Sequence, residues 1–498
     1  MSGDRAFFGH PRGLATLFFT ELWERFSYYG MRALLILFMT APLAAGGLAF
    51  ETSKAAVIYG TYTASVYLGS LPGGWIADNV LGLRRATLWG GIIIACGHVL
   101  LAIPSEATFF AGLATVIAGT SLLKPNISTI VGQLYAPDDA RRDAGFSLYY
   151  MGINLGAFLA PLVTTWLAQS PGFRATLAGW GLEPESAWHW GFGAAAVGMF
   201  AGVVQFVLGQ RHVGADTGLP TGAAAERARR RLLLGLGGFA VAAAVLGALV
   251  ATGALAISAE AAGRAFAVAE FALCIGLFGW MFLVAEWTPD ERKRLLVVFV
   301  LFLASCVFWS VFEQAGSTLN LFADRSTRNE VLGFAFPSGW WQSVNSFWII
   351  TLAPVLSWVW LRLGPREPSS PAKFVLSLTL ISASFFLMMA GARLATDGAR
   401  VSALFLLGTY LMHSVGELCL SPVGMSAMTR LAPARMQGLM MGVWFLSISV
   451  GNLIGGQVAS VYERFALPTL FGAVAAYAGL FAVVLLLLVR PIGRMLRA

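Results

Sequence analysis

Apolar runs of about 20 residues recur from one end of the chain to the other, separated by short clusters of turn and charged residues. A helix of that length crosses a bilayer, because each residue adds about 1.5 Å of rise against a hydrocarbon core about 30 Å thick. The pattern predicts helices near 14–40, 55–78, 85–104, 107–133, 145–168, 187–209, 232–256, 265–287, 295–321, 341–363, 374–393, 401–430, 439–461 and 466–489, fourteen in all. The longest polar interruption, QRHVGADTGLPTGAAAERARRR at 210–231, divides the chain near its middle. A second basic stop, WTPDERKR at 287–294, brackets a two-helix hairpin over 232–287. The plan is therefore six helices, two, then six: an N-terminal bundle over 1–209, a linker with an extra hairpin over 210–294, and a C-terminal bundle over 295–498. Six plus six is the arithmetic of transporters built from two pseudo-symmetric bundles. The hairpin is nearly free of internal charge apart from Glu270, so it is expected to pack at the periphery and to carry no chemistry.

Composition sharpens this to one class. Of 498 residues 57% are apolar and 12% charged, against roughly 25% charged in soluble domains, so the fold class is an all-α polytopic membrane protein. The net charge of +8 does not point to nucleic acid, because the basic residues sit between apolar runs. With the N-terminus inside, 22 of the 33 Lys and Arg fall on the cytoplasmic side, 8 outside and 3 within the membrane. The positive-inside rule then puts both termini in the cytoplasm. Glu21, Glu24 and Arg25 interrupt the first apolar run, unlike the core of a cleaved signal peptide. Cys96, Cys274, Cys306 and Cys419 all lie in apolar stretches without paired spacing and read as small core residues. No HExxH, GxSxG or Walker A motif occurs, so neither an enzyme nor a metal or organic cofactor is expected.

The candidate chemistry lies in charges where charges are expensive. A Lys or Asp at the centre of a spanning helix costs about 2.5–3.5 kcal/mol on insertion scales, so it needs a partner, water or a purpose. The first helix carries Glu21, Glu24, Arg25 and Arg32, and later helices add Lys124, Glu313 and Glu417. At about 100° per residue Glu21, Glu24, Arg25, Tyr28 and Arg32 form one stripe, which must face a water-filled cavity or other charges. Four acids stand against three bases, leaving one carboxyl without a one-to-one cation. A carboxyl whose cation is periodically removed can bind and release a proton. Cations at one end and a spare acid at the other suit a zwitterion, with Tyr28, Tyr29, Tyr67, Tyr149, Tyr150, Trp309 and Trp444 as walls and Asn154, Gln342 and Asn345 for amide groups. GGWIADNVLGLRR (73–85) reads as a latch, and the isolated His98 and His413 stay outside the site.

These residues also match a known pattern. GGWIADNVLGLRR resembles the loop motif of the major facilitator superfamily, and ELWERFSYYG (21–30) resembles the ExxERFxYYG motif of its bacterial proton-coupled oligopeptide transporters. SLYYMGINLGAF (147–158), LLKPN (122–126), FWSVFEQAGST (308–318), WWQSVNSF (340–347) and GELCLSPVG (416–424) are similar to further segments of that family. The resemblance implies the major facilitator fold with the extra hairpin and proton-coupled import of di- and tripeptides. It implies a multi-pass place in the inner (cytoplasmic) membrane, in contact with lipid, as a monomer. It assigns Glu21, Glu24 and Arg25 to proton coupling, Arg32 and Lys124 to the peptide carboxylate, and Glu417 to the peptide ammonium. It also assigns Arg32–Glu313 and Lys124–Glu417 to gates. Tyr29, Tyr67, Tyr150, Asn154, Asn345, Trp309, Trp444 and Ser421 fall at positions expected to line the peptide cavity. Two departures stand out: Gly60 replaces the functional histidine of animal members, and Phe312 stands where some members carry a second acid. A rival with the same fold takes nitrate or a drug-type cation, and an acid facing the substrate amine argues against the anion.

Overall fold

The computed structural model describes residues 6–136, 139, 141–214, 216, 219–253, 258–331, 333–395, 398–433 and 436–495. Its α-helices are α1 (Arg12–Thr40), α2 (Thr52–Leu68), α3 (Ser70–Ile76), α4 (Leu83–Leu101), α5 (Glu106–Gln133), α6 (Arg142–Gln169), α7 (Pro171–Gly179), α8 (Ala187–Gly209), α9 (Gly222–Ala251), α10 (Ala259–Gly279), α11 (Pro289–Phe312), α12 (Thr318–Ser326), α13 (Trp341–Leu363), α14 (Ser370–Leu394), α15 (Leu404–Leu431), α16 (Gln437–Ser460) and α17 (Leu467–Met495). Each of the fourteen predicted stretches contains helix, and eleven helical segments among the described residues are long and apolar enough to cross a membrane. α1 is not one of the eleven, since Glu21, Glu24, Arg25 and Arg32 interrupt its apolar face; nor are α2, which stops at Leu68, and α4. The molecule is a polytopic helical membrane protein.

Several predicted boundaries move, each for a local reason. The stretch expected as one helix over 55–78 is α2 followed by α3, with a wider π turn over Ala77–Leu81 that ends at Gly82. Gly82 has φ +85°, and a Cβ there would lie 2.3 Å from the Asp216 side chain, so the close approach of these two loops requires glycine. Asp216 Oδ1 accepts from the Arg84 backbone N–H at 2.7 Å, which ties the 73–85 motif to the central linker. α9 begins at Gly222 rather than 232, because the Ala, Glu and Arg residues of 222–231 are good helix formers that continue the helix beyond its apolar part. α11 begins early at Pro289 on a capping box between Thr288 and Glu291. The run expected to continue to 321 tightens into a 3-10 turn at Glu313–Gly316 and resumes as α12. A short helix, α7, and a two-stranded hairpin, β1 (Glu330–Val331) with β2 (Phe334–Ala335), were not expected.

α1 packs against α6 and α8, and α4 against α5 and α8. In the second half α14 packs against α15 and α17, and α11 against α16. Two seams join these groups. Along α6 and α13, the Ser343 hydroxyl donates to Phe158 O at 2.7 Å and the Trp340 indole to Leu162 O at 3.1 Å. Along α2 and α16, the Ser449 hydroxyl donates to Ala64 O at 2.8 Å, and Gly60 meets Gly456 backbone to backbone. A Cβ at Gly60 would fall 2.7 Å from Gly456 Cα. Position 60 therefore has no room for a side chain here. Gly60→Val is expected to cost about 1–3 kcal/mol by overpacking, and thermal unfolding in detergent checks it. The hairpin helix α9 is mostly exposed, with Ala228 buried, whereas α10 lies against α2 and α16.

Candidate functional site

The polar stripe of α1 resolves into two clusters. At the first, Arg25 Nε lies 3.1 Å from Glu21 Oε1 and also bonds Glu24. Glu21, Glu24 and Arg25 are 3%, 0% and 4% exposed, so the stripe meets other charges here rather than open solvent. Glu21 Oε2, Glu24 Oε1 and Arg25 Nη2 nevertheless have no hydrogen-bond partner among the described residues. The two carboxylate oxygens are poised to accept a proton and the guanidinium N–H to donate to a ligand, because an unsatisfied buried polar atom is costly. Lys124 of α5 and Tyr149 of α6 act on the same carboxylates.

At the second cluster Arg32 Nη2 pairs with Glu313 Oε2 at 2.5 Å, and Arg32 Nε donates to the Tyr59 hydroxyl at 2.7 Å. This joins α1 and α2 to the 3-10 turn between α11 and α12, toward the end of the bundle opposite the chain termini. A Cβ on Gly316 would lie 1.7 Å from the Tyr59 hydroxyl. Gly316→Ala therefore has to displace Tyr59 from Arg32, and the expected outcome is a lower unfolding temperature with wider spin-label distances between α1 and α12. Nearby, Asn320 Nδ2 donates to Ala33 O at 3.0 Å. Outside the spans Arg325 Nη1 lies 2.8 Å from Glu463 Oε1, which also accepts from the Thr52 hydroxyl at 2.5 Å.

Those two partners, Thr52 first and then Arg325, hold the Glu463 carboxyl below its ordinary range. A depressed carboxylate stabilises the folded contact above its unfolded pKa, near about 4.3, and that contribution is lost as pH falls through the lower folded value. Hydrogen exchange at the first turn of α2 is expected to stay slow at neutral pH and to rise in Glu463→Gln, modestly because the pair is exposed.

Of the seven charged residues singled out in the sequence, five are paired in these clusters. Lys124 and Glu417 have no ion-pair partner among the described residues, and both are only half-buried. Lys124 Nζ sits 3.6 Å from the centre of the Tyr67 ring, a cation–π contact. Glu417 Oε2 accepts from Asn345 Nδ2 at 3.2 Å, which also donates to Ser414 Oγ at 2.9 Å. Glu417 on α15 is within electrostatic reach of Tyr29 on α1 and Tyr150 on α6, so this ring draws on both halves of the chain. Tyr150 is 36% exposed. Tyr29 lies on Arg32, with the guanidinium 5.7 Å from its ring centre, and Asn154 Nδ2 donates back to Tyr150 O at 3.0 Å. Ser421 is half-buried one turn beyond Glu417.

Trp309 and Trp444 are 6% and 2% exposed: Trp309 meets Phe308 and Phe312 edge to face, and Trp444 fills the space beside Gly424. They form packed wall in this conformation. Two contributors were missed from the sequence. Tyr59 lies two turns before Tyr67 on α2, a spacing that could have flagged it. Ser414, one turn before Glu417, holds Asn345 in place. His413 is buried among Phe312, Phe385 and Tyr410.

Residues 84–475 match the family model described as the POT family. The chain is 41% identical to the peptide transporter YePEPT of Yersinia enterocolitica subsp. palearctica, over 99% of this chain and 97% of that protein. It is 36% identical to a di-/tripeptide transporter of Lactococcus lactis subsp. cremoris, over 99% and 98%. In three dimensions it resembles the crystal structure of a mutant peptide transporter POT in complex with alafosfalin, with TM-score 0.88 and 39% identity over 99% of this chain and 98% of that one. With its helical architecture, its paired α1 charges and this agreement over nearly the whole length, the chain belongs to the POT family.

Proposed function

We propose that this protein is a proton-coupled symporter that imports di- and tripeptides by alternating access. The observation that carries the reading is the pairing of charges: Glu21, Glu24, Arg25, Arg32 and Glu313 pair among themselves, while Lys124 on α5 and Glu417 on α15, one in each half of the chain, have no ion-pair partner among the described residues. A cation and an acid left free across a ring of tyrosines and an amide are what a zwitterionic peptide requires, its carboxylate toward Lys124 and its ammonium toward Glu417. The relatives' names, a peptide transporter and a di-/tripeptide transporter, support the same substrate class.

Residues 1–209 and 295–498 act as the two rocking bodies, with the hairpin of 210–294 between them and both termini in the cytoplasm. On that orientation, Arg32–Glu313 is a closed extracellular gate, and the unpaired Lys124 and Glu417 are the open halves of a cytoplasmic one. Glu24 is the proton carrier, Arg25 its charge partner, and Glu21 shares that cation. A proton on Glu24 frees Arg25, and a peptide satisfies Lys124 and Glu417. Together they change which ion pairs are worth keeping, and thereby the population of each state. No metal or organic cofactor takes part, and the monomer is the working unit.

Uptake of labelled dialanine into proteoliposomes, with and without an inward proton gradient, tests the reading. Faster entry and accumulation with the gradient are expected. Gradient-driven entry of nitrate in place of dialanine would overturn it in favour of an anion carrier.

A further inference from the structure

The hairpin helix α10 carries a buried acid whose surroundings define its protonation. Glu270 is 1% exposed, and neither of its oxygens has a hydrogen-bond partner among the described residues. Two turns earlier, Gly263 rests on Val57 and Thr61 of α2, so this face of α10 is seated on the α2–α16 seam. The polar side chain that acts on Glu270 is the Ser449 hydroxyl of α16, which makes no hydrogen bond to it in this conformation. That hydroxyl already donates its single proton to Ala64 O of α2, at 2.8 Å. Toward Glu270 it can therefore only accept, and a carboxyl donates only when protonated.

No cation compensates. The ionisable groups acting with Glu270 are the thiols of Cys274 on its own helix and Cys306 on α11, and neither α2 nor α16 brings a charge to it among the described residues. On the same helix Phe271, Cys274 and Phe278 line an apolar cleft of about 740 Å³ with Phe302 and Cys306 of α11, so no polar group enters from that side.

We propose that Glu270 is a proton-binding site separate from the α1 cluster, protonated while the Ser449–Ala64 link joins α16 to α2 and free to ionise when that link parts. Parting leaves the Ser449 hydroxyl able to donate to a carboxylate and admits water to take the proton, so ionisation becomes cheaper in the parted state. Linkage is reciprocal: proton uptake by Glu270 favours the joined seam, and the hairpin biases the movement of the two halves according to pH. The site rests on the two-state movement described above only for this last step.

Infrared difference spectra and spin-label distances between α2 and α16, recorded on the full chain in lipid nanodiscs over a pH series, test it. A carbonyl band of a protonated carboxylic acid is expected in the unmodified chain and absent in the isosteric Glu270→Gln. The joined population should shift with pH by up to about tenfold per unit of difference in proton affinity between the states, and this part of the response should vanish in Glu270→Gln. A band unchanged by Glu270→Gln overturns the site, and an unchanged pH response of the seam overturns its coupling. Failure of dialanine uptake with the band present would remove the peptide reading and leave the proton site standing.

Discussion

Glu24→Gln is expected to abolish proton-driven accumulation of dialanine while leaving exchange of peptide for peptide partly intact. Glu24 is 0% exposed, bonded to Arg25, and has one carboxyl oxygen without a partner among the described residues. Glutamine keeps the shape and a hydrogen-bonding oxygen but cannot carry a proton. One proton moved per peptide allows about tenfold accumulation for each unit of pH difference, since about 1.4 kcal/mol is a factor of ten. In the variant that ratio should fall to about one, with counterflow still measurable because the Lys124 and Glu417 ends of the site are untouched. Loss of counterflow together with accumulation would contradict a purely coupling role for Glu24.

Glu417→Gln should have the largest effect on binding. Its carboxylate accepts from Asn345 and has no ion-pair partner among the described residues, so the proposed role is to receive the peptide ammonium. Truncating one partner of a desolvated charge pair costs about 2–5 kcal/mol, which weakens affinity at least about thirtyfold. A dipeptide with an acetylated amino terminus lacks the ammonium and should bind the variant and the unmodified chain alike, weakly in both. Equal loss for the free and acetylated peptides would mean that Glu417 supports the structure rather than the ligand. The same variant separates the rival substrate, because a nitrate carrier would keep its uptake.

The stripe on α1 was legible because helical geometry converts spacing into direction, and charge in a spanning segment demands an inward face. Of the pairings, Arg32–Glu313 follows the resemblance and is observed, whereas Lys124–Glu417, assigned with it, is not formed among the described residues. Counting four acids against three bases left one acid over, whereas Arg25 serves both Glu21 and Glu24, so that Lys124 and Glu417 are the ones released. Glu21–Arg25 is an i,i+4 pair that helical spacing already allows, whereas the separation of Lys124 from Glu417 depends on tertiary distances that no periodicity encodes. Helix ends were misjudged where polar helix formers continue an apolar run, as at 222–231, and where a helix tightens for a single contact, as at Glu313–Gly316. The hairpin was expected to carry no chemistry because its apolar pattern gives no hint of which face Glu270 occupies; only its burial where α10 packs on α2 and α16 does.

The central claim is that ion pairs on α1 exchange partners with protons as peptide passes between the two halves. It is tested most directly by recording pH inside dialanine-challenged proteoliposomes with a trapped fluorescent indicator. Acidification of the lumen that begins with dialanine, follows its uptake and disappears in Glu24→Gln is the predicted result; dialanine entering at the same rate with no change in internal pH would contradict the account.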